Sequence, residues 1–138
     1  MINDMTMIIP GVPIAKKRPR FARRGKFVTT YNDQQTEEGR WLLSAREYLR
    51  ETLKGPLDVP VKLQMVFRMP IPKSTTKNNL VKLSFHPEHA KKPDIDNLIK
   101  FCLDCLNGEL FTDDALVCGI TAEKKYDPSP ETVIVVNW

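Results

Sequence analysis

No stretch of this 138-residue chain approaches the roughly 18–20 consecutive apolar residues that a membrane-spanning helix needs. A transmembrane protein is therefore not expected. The N-terminus, MINDMTMIIPGVP, lacks a basic start followed by a long apolar stretch, so it does not read as a signal peptide. Cysteine is scarce: three residues, an odd number, without the spacing of a disulfide framework. That points to a reducing compartment, and a cytoplasmic location is the expectation. There is no internal repeat and no low-complexity tract. Acid is absent from residues 16–26, KKRPRFARRGK, which hold 7 of the 21 basic residues. The other 14 face all 17 acids, so a strongly basic segment sits on a slightly acidic body. Such asymmetry points to a polyanionic partner better than the total of +4 does.

What is present fits one globular domain, residues 1–138, long enough to bury a core. Met5–Ile9 reads as a strand ended by Pro10, Gly11 and Pro13. The basic segment, about residues 14–28, reads as a loop that Pro19 keeps from being helical. Asn32 is a candidate N-cap with Gln35 three residues on. Trp41, Leu42, Ala45, Tyr48, Leu49 and Leu53 then recur at helical steps until Gly55 and Pro56. Val59, Val61, Leu63, Met65, Phe67 and Met69 alternate at a period of two, the mark of a strand. Residues 73–92 read as a polar, basic, variable loop with Leu80, Val81, Leu83 and Phe85 as a possible short strand. A second helix is expected from Asp94–Asp96 to Asn107–Gly108, burying Ile95, Leu98, Ile99, Cys102, Cys105 and Leu106. Strands near 116–126 and 132–137, joined by the turn DPSPE, complete the chain. The expected fold is α+β: a mostly antiparallel mixed sheet with two main helices on one face.

The stretch HAKKPDIDNLIK sets Asp94 and Asp96 two residues apart where the second helix begins. Two readings compete. Carboxylates near a helix N-terminus stabilise it by roughly 0.3–1 kcal/mol as caps. They are also what a hard divalent cation takes as ligands. On the helix period Asp96, Lys100 and Asp104 share one face. Asp113 and Asp114 follow past the helix's far end, so the chain would have to run back along the helix for Asp114 to meet Asp94. Carboxylates gathered with a lysine suit Mg²⁺, which keeps waters and takes phosphate oxygens. The bland alternatives are an acidic turn for Asp113–Asp114 and a solvated i,i+4 partner of Asp96 for Lys100. Cys102 and Cys105 form C-x-x-C, yet fall on the apolar face, where core packing is the better reading than a zinc site completed by His86 or His89. Both histidines read as surface residues or phosphate contacts. Trp41 and Tyr48 read as packing or interface residues.

KPDIDNLIK, followed by LDCLNG and FTDDALV, resembles the signature of the RusA-type Holliday junction resolvases of bacteria and their prophages. GVPIAKKRPRF resembles the opening of that family's phage-like branch. The likeness covers most of the chain in order and is closest at residues 8–20, 89–108 and 111–117. Residues 73–92 depart from it, since compact members largely lack them. The resemblance implies a homodimeric, Mg²⁺- or Mn²⁺-dependent endonuclease making paired cuts in four-way DNA junctions during recombination and repair. It implies Asp94, Asp96 and Asp114 as catalytic metal-binding residues, with Asp113 next to them, and Lys100 as the functional lysine. Lys16, Lys17, Arg18, Arg20, Arg23, Arg24, Lys26, Lys91 and Lys92 are the candidate DNA contacts. Two alternatives stand beside it: a catalytically silent junction-binding module, and a nuclease for other branched DNA such as flaps.

Overall fold

Strand β4, Val61–Pro70, buries every second residue: Val61, Leu63, Met65, Phe67 and Met69. The alternation expected from sequence therefore places one face on a core. Val59 is exposed and lies before the strand. In the computed structural model, which describes residues 3–17, 20–25, 27–31 and 34–138 (side chains of 20–24 and 27–31 excepted), β4 is a central strand. On one side it pairs antiparallel with β6, Glu131–Asn137, and β6 pairs antiparallel with β1, Asp4–Pro10. On the other side it pairs in parallel with β5, Val117–Asp127. The sheet order is β1-β6-β4-β5.

The two C-terminal strands are consecutive in the chain but do not pair, because β4 lies between them. Residues 128–130 pass over the end of β4. The parallel β4–β5 pair needs a long crossover, and residues 71–116 supply it with helices α2, Lys77–Phe85, and α3, Ile95–Leu106. The fold is α+β with a mixed sheet, as expected, and among the described residues a third, shorter helix joins the two main ones.

Helix α1, Gln35–Thr52, buries Trp41, Ala45 and Leu49. Its N-cap is Gln34; Asn32 lies outside the described residues. Helix α3, Ile95–Leu106, buries Leu98, Phe101, Cys102, Cys105 and Leu106. The two helices cover one sheet face and meet edge to face at Trp41 and Phe101, ring centroids 6.0 Å apart. Burial, with Cys105 close by, raises the Cys102 thiol pKa far above its ordinary value. Burial, then the Glu38 charge, pushes Cys105 up to about 12. Both thiols are core hydrophobes, and among the described residues no group of three or more His, Cys, Asp or Glu could hold a metal ion.

Two segments expected to be loops are ordered. The basic segment forms a hairpin, β2 (Arg20–Arg24) with β3 (Phe27–Tyr31), in which Arg24 pairs with Phe27 across a two-residue connection. Gly25 there has φ +62°, which that tight connection demands. Residues Lys77–Phe85 form helix α2 instead of a strand, capped by the Thr76 hydroxyl, which accepts from the Asn79 N–H at 3.3 Å. A run of four apolar residues within nine is ambiguous in period, and the cap decides it. No helix among the described residues is long and apolar enough to cross a membrane.

Candidate functional site

Asp94 stands at the N-cap of α3 with extended backbone, φ −69° and ψ 143°. Its carboxylate makes no capping hydrogen bond to the helix. It turns instead to Lys92, whose ammonium lies 2.9 Å and 3.0 Å from the two carboxylate oxygens. The capping reading therefore does not account for Asp94. The hydrogen bond that Lys92 donates to Asp94, then the charges of Asp94 and Asp96, raise the Lys92 pKa. The Lys92 ammonium thus interacts with both carboxylates, most strongly with Asp94.

Asp94, Ile95 and Asp96 open into a cleft of about 780 Å³ shared with His89, Ala90, Lys91, Lys92 and Lys124. Lys124, unremarked in the sequence, builds its back wall. It crosses from β5 to donate to the Lys91 and Pro93 carbonyls at 2.6 and 2.7 Å, tying the sheet to the turn before α3. The Lys92–Pro93 peptide there is cis. His89 is half-buried, packs on Tyr126 with centroids 4.7 Å apart, and has a buried Nδ1 without a hydrogen-bond partner. Burial, then the nearby Lys124 charge, holds its pKa below the ordinary histidine value. His86 is exposed. Lys100, one turn beyond Asp96, is exposed. Two exposed carboxylates are ligands that suit Mg²⁺, which keeps most of its waters and takes few protein ligands, and the lysines around them suit a phosphate rather than the cation.

Asp113 and Asp114 lie at the other end of α3. The Asp114 N–H donates to the Asn107 side chain at 3.0 Å, just past the helix C-terminus. The Asp104 charge helps raise the Asp114 pKa, after the larger effects of its hydrogen bond with Asp113 and of desolvation. A 12-residue helix spans about 18 Å, so within one chain Asp114 is about a helix length from Asp94. The return of FTDD to the helix start is not made, because β5 leaves this end and runs parallel to β4. Asp113 caps the short 3₁₀ turn Asp114–Leu116 by accepting from the Ala115 N–H at 3.0 Å.

The basic residues divide similarly. Lys16 is drawn inward: its ammonium lies 3.1 Å from Asp104 and 3.2 Å from Glu38, with its side chain 19% exposed. Its N–H bonds the Asn97 carbonyl of α3 at 2.9 Å. Burial lowers the Lys16 pKa, but hydrogen bonds with Asp104 and Glu38 outweigh that and leave it raised. This lysine anchors the segment to α3, rather than presenting its charge to DNA as expected. Buried Gln34 completes the anchor, accepting from the Lys17 N–H at 2.7 Å and donating to the Ala15 carbonyl at 2.8 Å. Lys17 is exposed beside Glu37. Arg20, Arg23 and Arg24 lie on hairpin strand β2, while Arg18 and Lys26 lie outside the described residues.

An α+β domain that opens two exposed carboxylates into a lysine-walled cleft has the makings of a phosphodiester-cleaving enzyme. The chain matches the family described as Endodeoxyribonuclease RusA over residues 10–137. It belongs to that family, and membership implies endodeoxyribonuclease activity of the Holliday junction resolvase type. It is also 28% identical over 133 residues to a Bacillus subtilis (strain 168) protein named "Uncharacterized protein YqaN", covering 92% of this chain and 91% of that one.

Proposed function

We propose that the protein is a divalent-cation-dependent endonuclease that cuts branched DNA, with four-way junctions as its principal substrate, in a recombination or repair setting inside the cell. The observation that carries this is the exposed Asp94–Asp96 pair, with the Asp94 carboxylate making no cap hydrogen bond, on a lysine-walled cleft. Acids set among lysines on a DNA-contacting surface make sense when a cation intervenes. Asp94 and Asp96 would hold Mg²⁺ or Mn²⁺. When bound, the ion supplies charge neutralisation at the scissile phosphate and acidifies a water. Lys100, exposed one turn on, holds a phosphate oxygen. Lys91 and Lys92 contact the backbone beside the cleft, and Lys17 with the arginines of β2 extends that contact.

The enzyme acts as a homodimer, because paired cuts in a near two-fold substrate need two sites related by a matching axis. On this reading a second copy would supply what one chain keeps apart, its Asp113–Asp114 end completing the first copy's Asp94–Asp96 end. The test is cleavage of four-way, flap and linear DNA with Mg²⁺ or Mn²⁺. Paired cuts confined to the four-way junction and abolished by chelator are expected. Metal-independent binding without cleavage, or faster cutting of flaps, overturns the assignment.

A further inference from the structure

Helix α2 buries none of its side chains. Leu80, Val81 and Phe85 are 43%, 58% and 74% exposed. At helical spacing Val81 and Phe85 share a face with Lys77 and Leu80 borders it, so this broad apolar face points away from the body. An apolar stripe presented to solvent on an ordered, capped helix calls for a partner. The stretch from Ile71 to Pro87 contains Lys73, Lys77 and Lys82 and no acid. Two such helices from two copies would oppose like charges, so α2-to-α2 pairing is disfavoured. Lysines flanking apolar side chains instead match DNA whose bases are unstacked: the phosphates take the ammonium groups and the open base faces take the apolar stripe.

Placement agrees. β4 delivers the chain into this arm at Pro70, opposite Asp127 of β5. The arm is fastened again where the Tyr126 N–H bonds the Pro87 carbonyl at 2.7 Å and the His89 N–H bonds the Lys124 carbonyl at 3.1 Å. Phe85 is thus two residues from an anchor on the cleft that holds Asp94 and Asp96. We infer that α2 is a branch-reading arm: Leu80, Val81 and Phe85 stack against bases exposed at a DNA branch point, while Lys73, Lys77 and Lys82 hold the flanking phosphates. This rests on the branched-DNA reading above. A linear duplex offers no free base face to the stripe, so the arm favours branched over linear DNA before any bond is cut.

The experiment places 2-aminopurine at the branch point of a four-way junction and measures fluorescence and affinity for the full-length protein in Ca²⁺, with linear duplex alongside. Wild type is expected to raise the fluorescence on the junction only. The double variant Leu80→Ser/Phe85→Ser is expected to lose that rise and about tenfold in junction affinity, while duplex affinity changes less than about twofold. Its melting temperature should match wild type, since α2 buries nothing. Lys77→Ala/Lys82→Ala is expected to weaken both DNA forms and to reduce the salt dependence of binding by about two phosphate contacts. Unchanged junction binding in the serine variant overturns the inference and leaves the junction reading intact. Loss of dimer in sedimentation with the fluorescence rise retained overturns it too, and gives the stripe to a second copy. A wild type that binds junction no better than duplex overturns the branched-DNA reading itself, and the arm's role with it.

Discussion

Asp94 and Asp113 both stand one residue before a helical turn, on extended backbone, with φ/ψ of −69°/143° and −153°/141°. Asp113 accepts from the Ala115 N–H, two residues on, and so caps its turn. Asp94 leaves the α3 N–H groups without its carboxylate and turns to Lys92. The helix dipole favours an anion at either place. The Asp94 carboxylate is thus spared from helix capping, while the Asp113 carboxylate is taken up by it. Acidic pairs in like settings are therefore not equivalent, and the hydrogen-bond partner separates a structural acid from a chemical one.

The sharpest way to break this contrast is to neutralise one acid at each end. Asp96→Asn removes half of the pair in the cleft. Junction cleavage should fall by at least about a hundredfold, the scale on which single preorganised groups act in active sites, with folding unaffected. Asp113→Asn keeps a side-chain acceptor for the Ala115 N–H and should leave the turn intact. Steady-state cleavage and circular dichroism on both variants decide the matter. An Asp96→Asn enzyme of wild-type activity would sink the site.

Asp114 tests whether the two ends belong to one site supplied by two chains. Asp96→Asn and Asp114→Asn should each be inactive as pure dimers. Mixed and re-annealed, they form heterodimers in which one site carries both substitutions and the other carries neither. Nicking of junctions should then return to as much as about half of the wild-type site count in each heterodimer. If both carboxylates served a site within one chain, every site in the mixture would be defective and no activity would return. An active Asp114→Asn homodimer would remove Asp114 from the chemistry.

Much of this was legible before the fold. The period-two run Leu63–Met69 and the 3.6-period stripes of α1 and α3 are long enough to be unambiguous, and all three elements form where they were expected. Boundaries shifted by a residue or two, as at Val59. Phe101 was missed from the α3 stripe, although it lies three residues past Leu98. The β5–β6 neighbours were not legible, because a three-residue connection suits a hairpin as well as a crossing and only the strand order decides. Lys124 was invisible for a related reason. It lies 28 residues beyond Asp96 in the chain, and its place behind the cleft comes from the parallel β4–β5 register. Lys16 looked like one of seven equivalent cations, and only the proximity of Glu38 and Asp104 distinguishes it.

That distinction predicts a smaller effect, on stability. Lys16→Met leaves Asp104 and Glu38 facing each other, partly shielded from water, and should lower unfolding stability by about 1 kcal/mol, discounted for their exposure. Lys17→Met, one residue on but exposed, should leave the urea midpoint unchanged and weaken DNA binding. Equal stability loss in both variants would mean that Lys16 is no anchor.

The finest comparison lies within the Asp113–Asp114 pair. Asp113 has its pKa lowered by the hydrogen bond from the Ala115 N–H, then by one from Asp114. Asp114 has its pKa raised, first by that shared hydrogen bond, then by desolvation and by the charges of Asp113 and Asp104. The signs oppose. Asp113 has a folded pKa below its unfolded one, so its contribution is present above pH ~4 and is lost as pH falls through the lowered value. Asp114 has a folded pKa above its unfolded one, so the folded state takes up its proton first as pH falls, and that uptake offsets acid destabilisation. Carboxyl ¹³C titration should show two midpoints on either side of the ordinary aspartate value, the upper one at Asp114. Asp113→Ala should bring the Asp114 midpoint down toward the ordinary value, and Asp104→Asn should do so by less. If Asp114 keeps its midpoint when Asp113 is removed, the two carboxyls do not share a proton, and this end of α3 is not the coupled structural unit that its hydrogen bonds describe.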